Sequence, residues 1–402
     1  MKQSILSNRI LNLSESATLE MTRLSRELKA KGVDVITLSI GEPDFDTPEH
    51  IKDAGKQAIT DNITHYPPVP GFMVLREAIA AKLKRDNDLD FNANQIVVST
   101  GAKHSLINIF MCILNEGDEV IIPAPYWVSY TEMVNLSGGN AKIIDTKIEN
   151  DFKVVPEQIE AAITDKTKAF LFNSPSNPTG SVYSYDELKA LADVFAKYPD
   201  ILIVSDEIYE YINFEGKHVS LASFDEIKDR VVVVNGVSKG MAMTGWRIGY
   251  IAGPKFIADA CIKLQGQYTS GTGTISQMAA LEAVNTDPKN SPELKNMVKA
   301  FNERRELLIK LVKEIPGLKS NVPVGAFYLF PDVSYYYGRK FNGKSINNGT
   351  ELCMYLLNEA HVALVPGEAF GSPECLRISY ATSKELITEA VNRIKVALAK
   401  LS

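Results

Sequence analysis

Two cations eight residues apart are the first sign of chemistry in this chain: Lys239 and Arg247. Lys239 follows residues 231–235, four valines and an asparagine, which read as a buried strand. A lysine just past such a strand end, among small residues, is poorly solvated. Desolvation disfavours the ammonium form and leaves the amine a nucleophile. Arg247 is a permanent cation whose planar fork matches a phosphate. Together they suit an aldehyde that carries a phosphate, with the amine condensing on the one and the arginine holding the other. A lone lysine after a strand is ordinarily a solvated loop residue; the run from Ser238 through Gly-Met-Ala-Met-Thr-Gly-Trp to Arg247 sets this one apart.

Other runs end in the same kind of place. Asp206 closes the apolar stretch 201–205. A carboxylate at a buried strand end is costly unless it meets a cation or a donor, although aspartate is also a favoured helix cap. Glu207 and Glu210, just beyond, are expected on the surface. Asn173-Ser-Pro-Ser-Asn-Pro-Thr-Gly180 follows another apolar stretch and fixes a stiff turn. Ser99-Thr-Gly-Ala-Lys-His-Ser105 leads into an apolar helix whose first N–H groups can cradle a phosphate, with Gly101 permitting close approach. Trp127 is one of two tryptophans, and packing alone would account for it. Arg377 lies in Leu-Arg-Ile-Ser-Tyr-Ala, where its fork could grip a carboxylate or simply face solvent from an edge strand.

In this order these runs resemble the class I and II pyridoxal phosphate-dependent aminotransferases, of fold type I, over nearly the whole chain. The pattern is most similar to the bacterial aspartate aminotransferases of subgroup I-beta. The resemblance implies that Lys239 carries the cofactor, pyridoxal 5'-phosphate, and moves the substrate proton. It implies that Asp206 pairs with the cofactor ring nitrogen, that Tyr209 and Asn177 contact the ring oxygen, and that Trp127 stacks on the ring. The phosphate falls to Gly101, Ala102, Lys103, Ser238 and Arg247, and to Tyr66 from the neighbouring subunit of a homodimer with shared sites. Arg377 and Asn177 take the substrate α-carboxylate, with Trp127 and Gly41 against the substrate; Gly41 lies in the family's Gly-Glu-Pro-Asp-Phe run, where a side chain would not fit. Lys103 takes the side-chain carboxylate, since residues 265–271 carry no arginine. The pattern departs from the family at Gly236, where a phosphate-touching serine is usual, and at Ser14, two before the Ser16-Ala17-Thr18 run, where a basic residue is common.

The implied activity is transfer of an amino group between L-aspartate and 2-oxoglutarate by a ping-pong route. An aromatic or prephenate aminotransferase is the alternative. A different pyridoxal phosphate enzyme and a non-enzymatic ligand sensor rank lower, the latter because residues 1–40 hold no basic cluster for binding DNA.

Positioning such residues takes an α/β frame. Strand-like runs at 95–99, 119–123, 141–145, 168–173, 201–205, 231–235 and 248–253 alternate with helical stretches such as 105–114 and 185–197. That pattern predicts a mostly parallel sheet covered on both faces, with the site at the strand ends; fold type I implies seven strands. A long helix over 291–314 leads into short strands at 326–331, 363–365 and 375–380 with two helices. The expected division is a large cofactor-binding domain, 48–300, and a smaller α+β domain made of 1–47 and 301–402. A chain of 402 residues with net charge −6 and interspersed signs points away from nucleic acid and anionic membranes. Four scattered cysteines and five histidines without ligand spacing suggest a reducing, cytoplasmic setting and no metal site. Residues 1–16 lack the apolar core of a signal peptide.

Overall fold

The computed structural model describes residues 5–402; the first four residues of the expected 1–47 segment lie outside the described residues. The large sheet has seven strands: β1 (Ile96–Ser99), β2 (Glu119–Ala124), β3 (Asn140–Asp145), β4 (Thr167–Asn173), β5 (Leu202–Asp206), β6 (Val231–Gly236) and β7 (Gly249–Ala252). Their spatial order is β1-β7-β6-β5-β4-β2-β3. All neighbours are parallel except β7, which runs antiparallel to both β1 and β6.

Side-chain alternation explains why the strands read as continuous apolar runs. Val231 and Val233 of β6 enter one core, while Val232 and Val234 enter the other. Ile96 and Val98 of β1, and Phe170 and Phe172 of β4, follow the first pair, whereas Val97, Ala169 and Leu171 follow the second. Each strand therefore supplies both faces of a sheet buried on both sides. On one face lie α1 (Ala102–Ile113) and α3 (Lys255–Tyr268); on the other lies α2 (Tyr185–Ala196), through Leu188, Leu191 and Phe195. The start of α2 is fixed by a capping box in which Ser184 Oγ accepts from the Glu187 N–H and Glu187 Oε2 from the Ser184 N–H.

The long helix α4 (Pro292–Val312) leads to a three-stranded antiparallel sheet of β8 (Tyr328–Leu329), β9 (Val365–Pro366) and β10 (Leu376–Ser379), with β10 in the middle. Helices α5 (Gly349–Glu359) and α6 (Lys384–Leu398) complete this part. Strand β8 is shorter than the run 326–331, the backbone turning at Ala326, whose φ is +55°. Residues Ile36–Thr37 pair in parallel with Val362–Ala363, so the N-terminal segment joins the C-terminal part. Among the described residues no helix is long and apolar enough to cross a membrane.

Candidate active site

The edge formed by the carboxyl ends of β1, β4, β5 and β6 also receives the amino end of β7, since that strand runs the other way. Gly249 pairs with both Ser99 and Gly236. Arg247, two residues earlier and left-handed at φ 57°, is thereby placed beside the turn that follows β6 and carries Lys239. Of the residues given a cofactor or substrate role in the sequence analysis, all except Gly101 and Tyr66 line one cavity of about 270 Å³.

The phosphate-type corner is built on two glycines. At Gly101, φ +85°, a Cβ would lie 2.3 Å from an Arg247 guanidinium nitrogen; at Gly249 it would lie 2.2 Å from the Ala102 nitrogen. The first amides of α1, the guanidinium and the start of β7 can approach one another only without side chains there. Arg247 is steadied by donating to the Thr244 carbonyl at 2.8 Å, and Ser238 is buried in the same wall.

Lys239 donates from Nζ to the Gly41 carbonyl at 2.6 Å. Burial pushes its amine down to about 8; Glu42 opposes this, and Arg377 and Arg247 add to it. Asp206 is buried, with Oδ2 accepting from the Tyr130 hydroxyl at 2.7 Å and Oδ1 from the Ile208 N–H at 3.2 Å. The second bond is a local cap, but it closes a turn rather than a helix. Burial raises the Asp206 carboxyl to about 6, against the Tyr130 and Ile208 hydrogen bonds. Tyr209 shares a hydrogen bond of 2.7 Å with Tyr328, hydroxyl to hydroxyl, and its ring lies 5.8 Å from the Lys239 amine.

Arg377 stands on β10, the central strand of its sheet, and is 2% exposed, so it is no edge residue in solvent. It donates to Asn177 Oδ1 at 3.0 Å and to the Ser39 carbonyl at 2.6 Å, over the rings of Tyr328 and Phe370. Its Nε is buried without a partner. Asn177 is set in turn by the Asn173 side chain, which accepts from the Asn177 N–H at 2.8 Å and donates to the Asp206 carbonyl at 2.9 Å. Lys103, an exposed residue, holds its ammonium 4.7 Å from the Trp127 ring, and its pKa is lowered by burial of the amine and by Arg247.

The family model for aminotransferase class I and II matches residues 33–394. The chain belongs to that family. This aminotransferase is 49% identical over 395 residues to the bifunctional aspartate aminotransferase and glutamate/aspartate-prephenate aminotransferase of Petunia hybrida, covering 98% of this chain and 82% of the relative. It is also 49% identical to the aspartate aminotransferase of Bacillus sp. (strain YM-2), covering 98% of each. Among solved structures, the aspartate aminotransferase from Rhizobium meliloti superposes with a TM-score of 0.95 at 41% identity, covering 99% of each chain.

The aminotransferase depends on pyridoxal 5'-phosphate, and its residues fit that group. A side-chain-free amide cradle meets a guanidinium at one end of the cavity. A buried carboxylate with no cation bonded to it lies within, and a depressed lysine amine stands beside both. Several participants escaped the sequence reading. Tyr130 closes the run that holds Trp127, but tyrosine there looks like packing. Tyr328 has no local signal, since only the fold sets it against Tyr209 and Arg377. Its hydroxyl also accounts for Gly41, where a Cβ would lie 2.5 Å from that oxygen, before any substrate is considered.

One expectation is corrected. Glu207 and Glu210 are buried, not on the surface. Glu207 continues the β5 alternation onto the face of Ser205, accepting from that hydroxyl at 2.9 Å and from Ser220, with His218 Nε2 at 3.0 Å. Glu210 pairs with buried Lys82 and accepts from Asn87 and Asn235, so the charges compensate each other inside the protein. Tyr66 is 93% exposed and stands outside the cavity of its own chain.

Proposed function

We propose that this aminotransferase exchanges the amino group between L-aspartate and 2-oxoglutarate, giving oxaloacetate and L-glutamate in two half-reactions. The observation that carries the reading is the presence of two separate cations beyond Arg247 in the wall of the Lys239 cavity, buried Arg377 and exposed Lys103. A dicarboxylic amino acid has one carboxylate for each. Arg377, already bonded to Asn177 and desolvated, suits the α-carboxylate common to all amino acids; Lys103 suits the side chain.

When bound, the cofactor supplies an aldehyde for the amino group and a ring that accepts electrons from the α-carbon. The protein's residues do the rest. The Gly101–Ala102 amides, Ser238 and Arg247 would hold the phosphate. Asp206, ionised, would be the partner for the ring nitrogen and favour its protonated form. Trp127 would lie against the ring, and Tyr209 with Asn177 would serve its oxygen. Lys239, its basicity lowered by burial, would be a competent base near neutral pH, able to take the proton from the substrate α-carbon. The Gly41 carbonyl gives the released amine a fixed acceptor, so it stays close to the reacting carbon.

We further infer a homodimer in which Tyr66 reaches the phosphate of the partner's site; its exposure outside its own cavity supports this. We propose a large domain over 48–300 and a smaller one of 1–47 with 301–402, a division supported by the Ile36–Thr37 pairing with Val362–Ala363. The four free cysteines support a cytoplasmic setting. A second reading, an aromatic or prephenate acceptor, draws support from Leu19 and Trp127 in the same cavity wall. Single-turnover reaction of the cofactor-loaded enzyme with a panel of amino acids, followed by visible absorbance, decides between them. Aspartate and glutamate should convert the cofactor fastest; preference for phenylalanine or arogenate would replace the first reading.

A further inference from the structure

Among the described residues the Asp206 carboxylate has two hydrogen-bond partners, and they come from different elements. The Ile208 N–H belongs to its own turn. Tyr130 opens the helix Tyr130–Leu136 across the cavity, is 2% exposed, and is wedged edge-on against Trp127 with ring centroids 5.5 Å apart. One hydroxyl hydrogen therefore points at one carboxylate oxygen, and one backbone hydrogen at the other.

We propose that Tyr130 is the positioning residue for Asp206: its hydroxyl, donating to Oδ2, fixes the carboxylate plane toward the cofactor ring and favours the ionised form. The inference rests on the reading of Asp206 as partner of the ring nitrogen. A carboxylate taken out of water protonates unless donors or cations oppose it, and a protonated Asp206 cannot stabilise a ring cation. The groups around it divide by sign. Lys239, on the turn after β6, favours the carboxylate, while Glu207, its neighbour in the chain, opposes it. Glu207 is turned to the opposite face and held by Ser205, His218 and Ser220, which limits that opposition. Tyr209 and Tyr130 are phenols that burial keeps far from ionising. Among the described residues Tyr130 is the one side-chain donor bonded to the carboxylate, and the burial that raises Asp206 to about 6 is the effect it counters.

The test removes one atom. Tyr130→Phe keeps the ring against Trp127 and deletes the hydroxyl. A hydrogen bond to a charged group is worth about tenfold to a hundredfold in such an equilibrium. The Asp206 carboxyl midpoint, read by carbon-13 NMR in the cofactor-free full chain and assigned by its loss in Asp206→Asn, should therefore rise by about one to two units. The acid limb of kcat in the loaded enzyme should move up with it. Replacing Tyr130 by 3,5-difluorotyrosine, a better donor of nearly the same shape, should move both midpoints down, which keeps the test decisive even if Tyr130→Phe folds poorly. Midpoints unchanged within a few tenths in both variants would overturn the proposal, because a packing role predicts no shift. The outcome is separable from the reading beneath it. A near-normal rate in Asp206→Asn rejects Asp206 as the ring partner, whereas a crippled Asp206→Asn with unmoved midpoints rejects Tyr130 alone. In the Asp206→Asn background, Tyr130→Phe should cost no further rate.

Discussion

Replacing Lys103 with methionine should change which amino acids this enzyme prefers without changing how it binds amino acids in general. Methionine keeps an unbranched stem next to Trp127 and removes only the charge. Two unit charges about 4 Å apart attract by about 4 kcal/mol at an effective dielectric of about 20. Lys103 is an exposed residue, so solvent screening reduces this, and a value of about 1–2 kcal/mol is expected. Arg247 nearby lowers the Lys103 pKa by repulsion, and a bound side-chain carboxylate relieves that repulsion, which places the value toward the upper end. The kcat/KM for aspartate relative to alanine should thus fall by about 5–30-fold, while alanine alone stays within about twofold. Half-reaction kinetics of the loaded enzyme with each amino acid give the ratio directly. Because the interaction is partly exposed, the wild-type ratio should also shrink as salt is raised, and the variant's should not. A ratio that is unchanged in Lys103→Met refutes the assignment and moves the specificity group to Ser16, Thr18 or residues 265–271.

Lys239→Ala should retain cofactor through the phosphate contacts yet form no covalent link to it; borohydride treatment followed by peptide mapping should mark Lys239 in the wild type, and a mark on another lysine would end the assignment. Arg377→Lys keeps the charge but loses the two-armed bond to Asn177 and Ser39, so kcat/KM should drop roughly 100-fold for every amino acid, with the aspartate-to-alanine ratio preserved; a selective loss for aspartate would contradict the α-carboxylate role. Asp206 should also leave a trace in stability. Its folded pKa of about 6 lies above the ordinary 3.8, so the folded state holds the extra proton between those values and stability falls as pH rises through that window. Cofactor-free Asp206→Asn should then melt higher than wild type at pH 8, by up to about 3 kcal/mol, with the gain disappearing toward pH 4; an equal difference at both pH values would show that ionisation is not the cause.

Much of this site was legible because its residues are tied to strand ends. Once 231–235 and 201–205 read as strands of a parallel sheet, Lys239 and Asp206 are expected at the same edge, and the fold adds which neighbours they meet. Arg247 was legible as a partner of Lys239 by proximity in sequence, but its place depends on β7 running antiparallel, and no run of apolar residues reveals direction. Tyr130 and Tyr328 were not legible, since a tyrosine whose hydroxyl is spent on another buried group looks like any core aromatic. Glu207 and Glu210 were misread for a related reason. A charged residue after a strand is ordinarily solvated, and the partners that keep these two inside, His218 and Lys82, lie in other elements.

The pairing of Ile36–Thr37 with Val362–Ala363 has a consequence for how the chain is made. Leu38 and Ser379 extend the contact, and Arg377 reaches Ser39 across it, so the cation proposed for the α-carboxylate is held by two segments 338 residues apart. At about 5–20 residues per second, translation separates the two by on the order of half a minute. During that interval the large sheet can close on residues already made, but Ile36 and Leu38, buried in the finished protein, have no strand to cover them. The strand Ile36–Thr37 waits longer for its partner than any strand of the large sheet. Its docking brings the Ser39 carbonyl to Arg377, the cation proposed for the α-carboxylate.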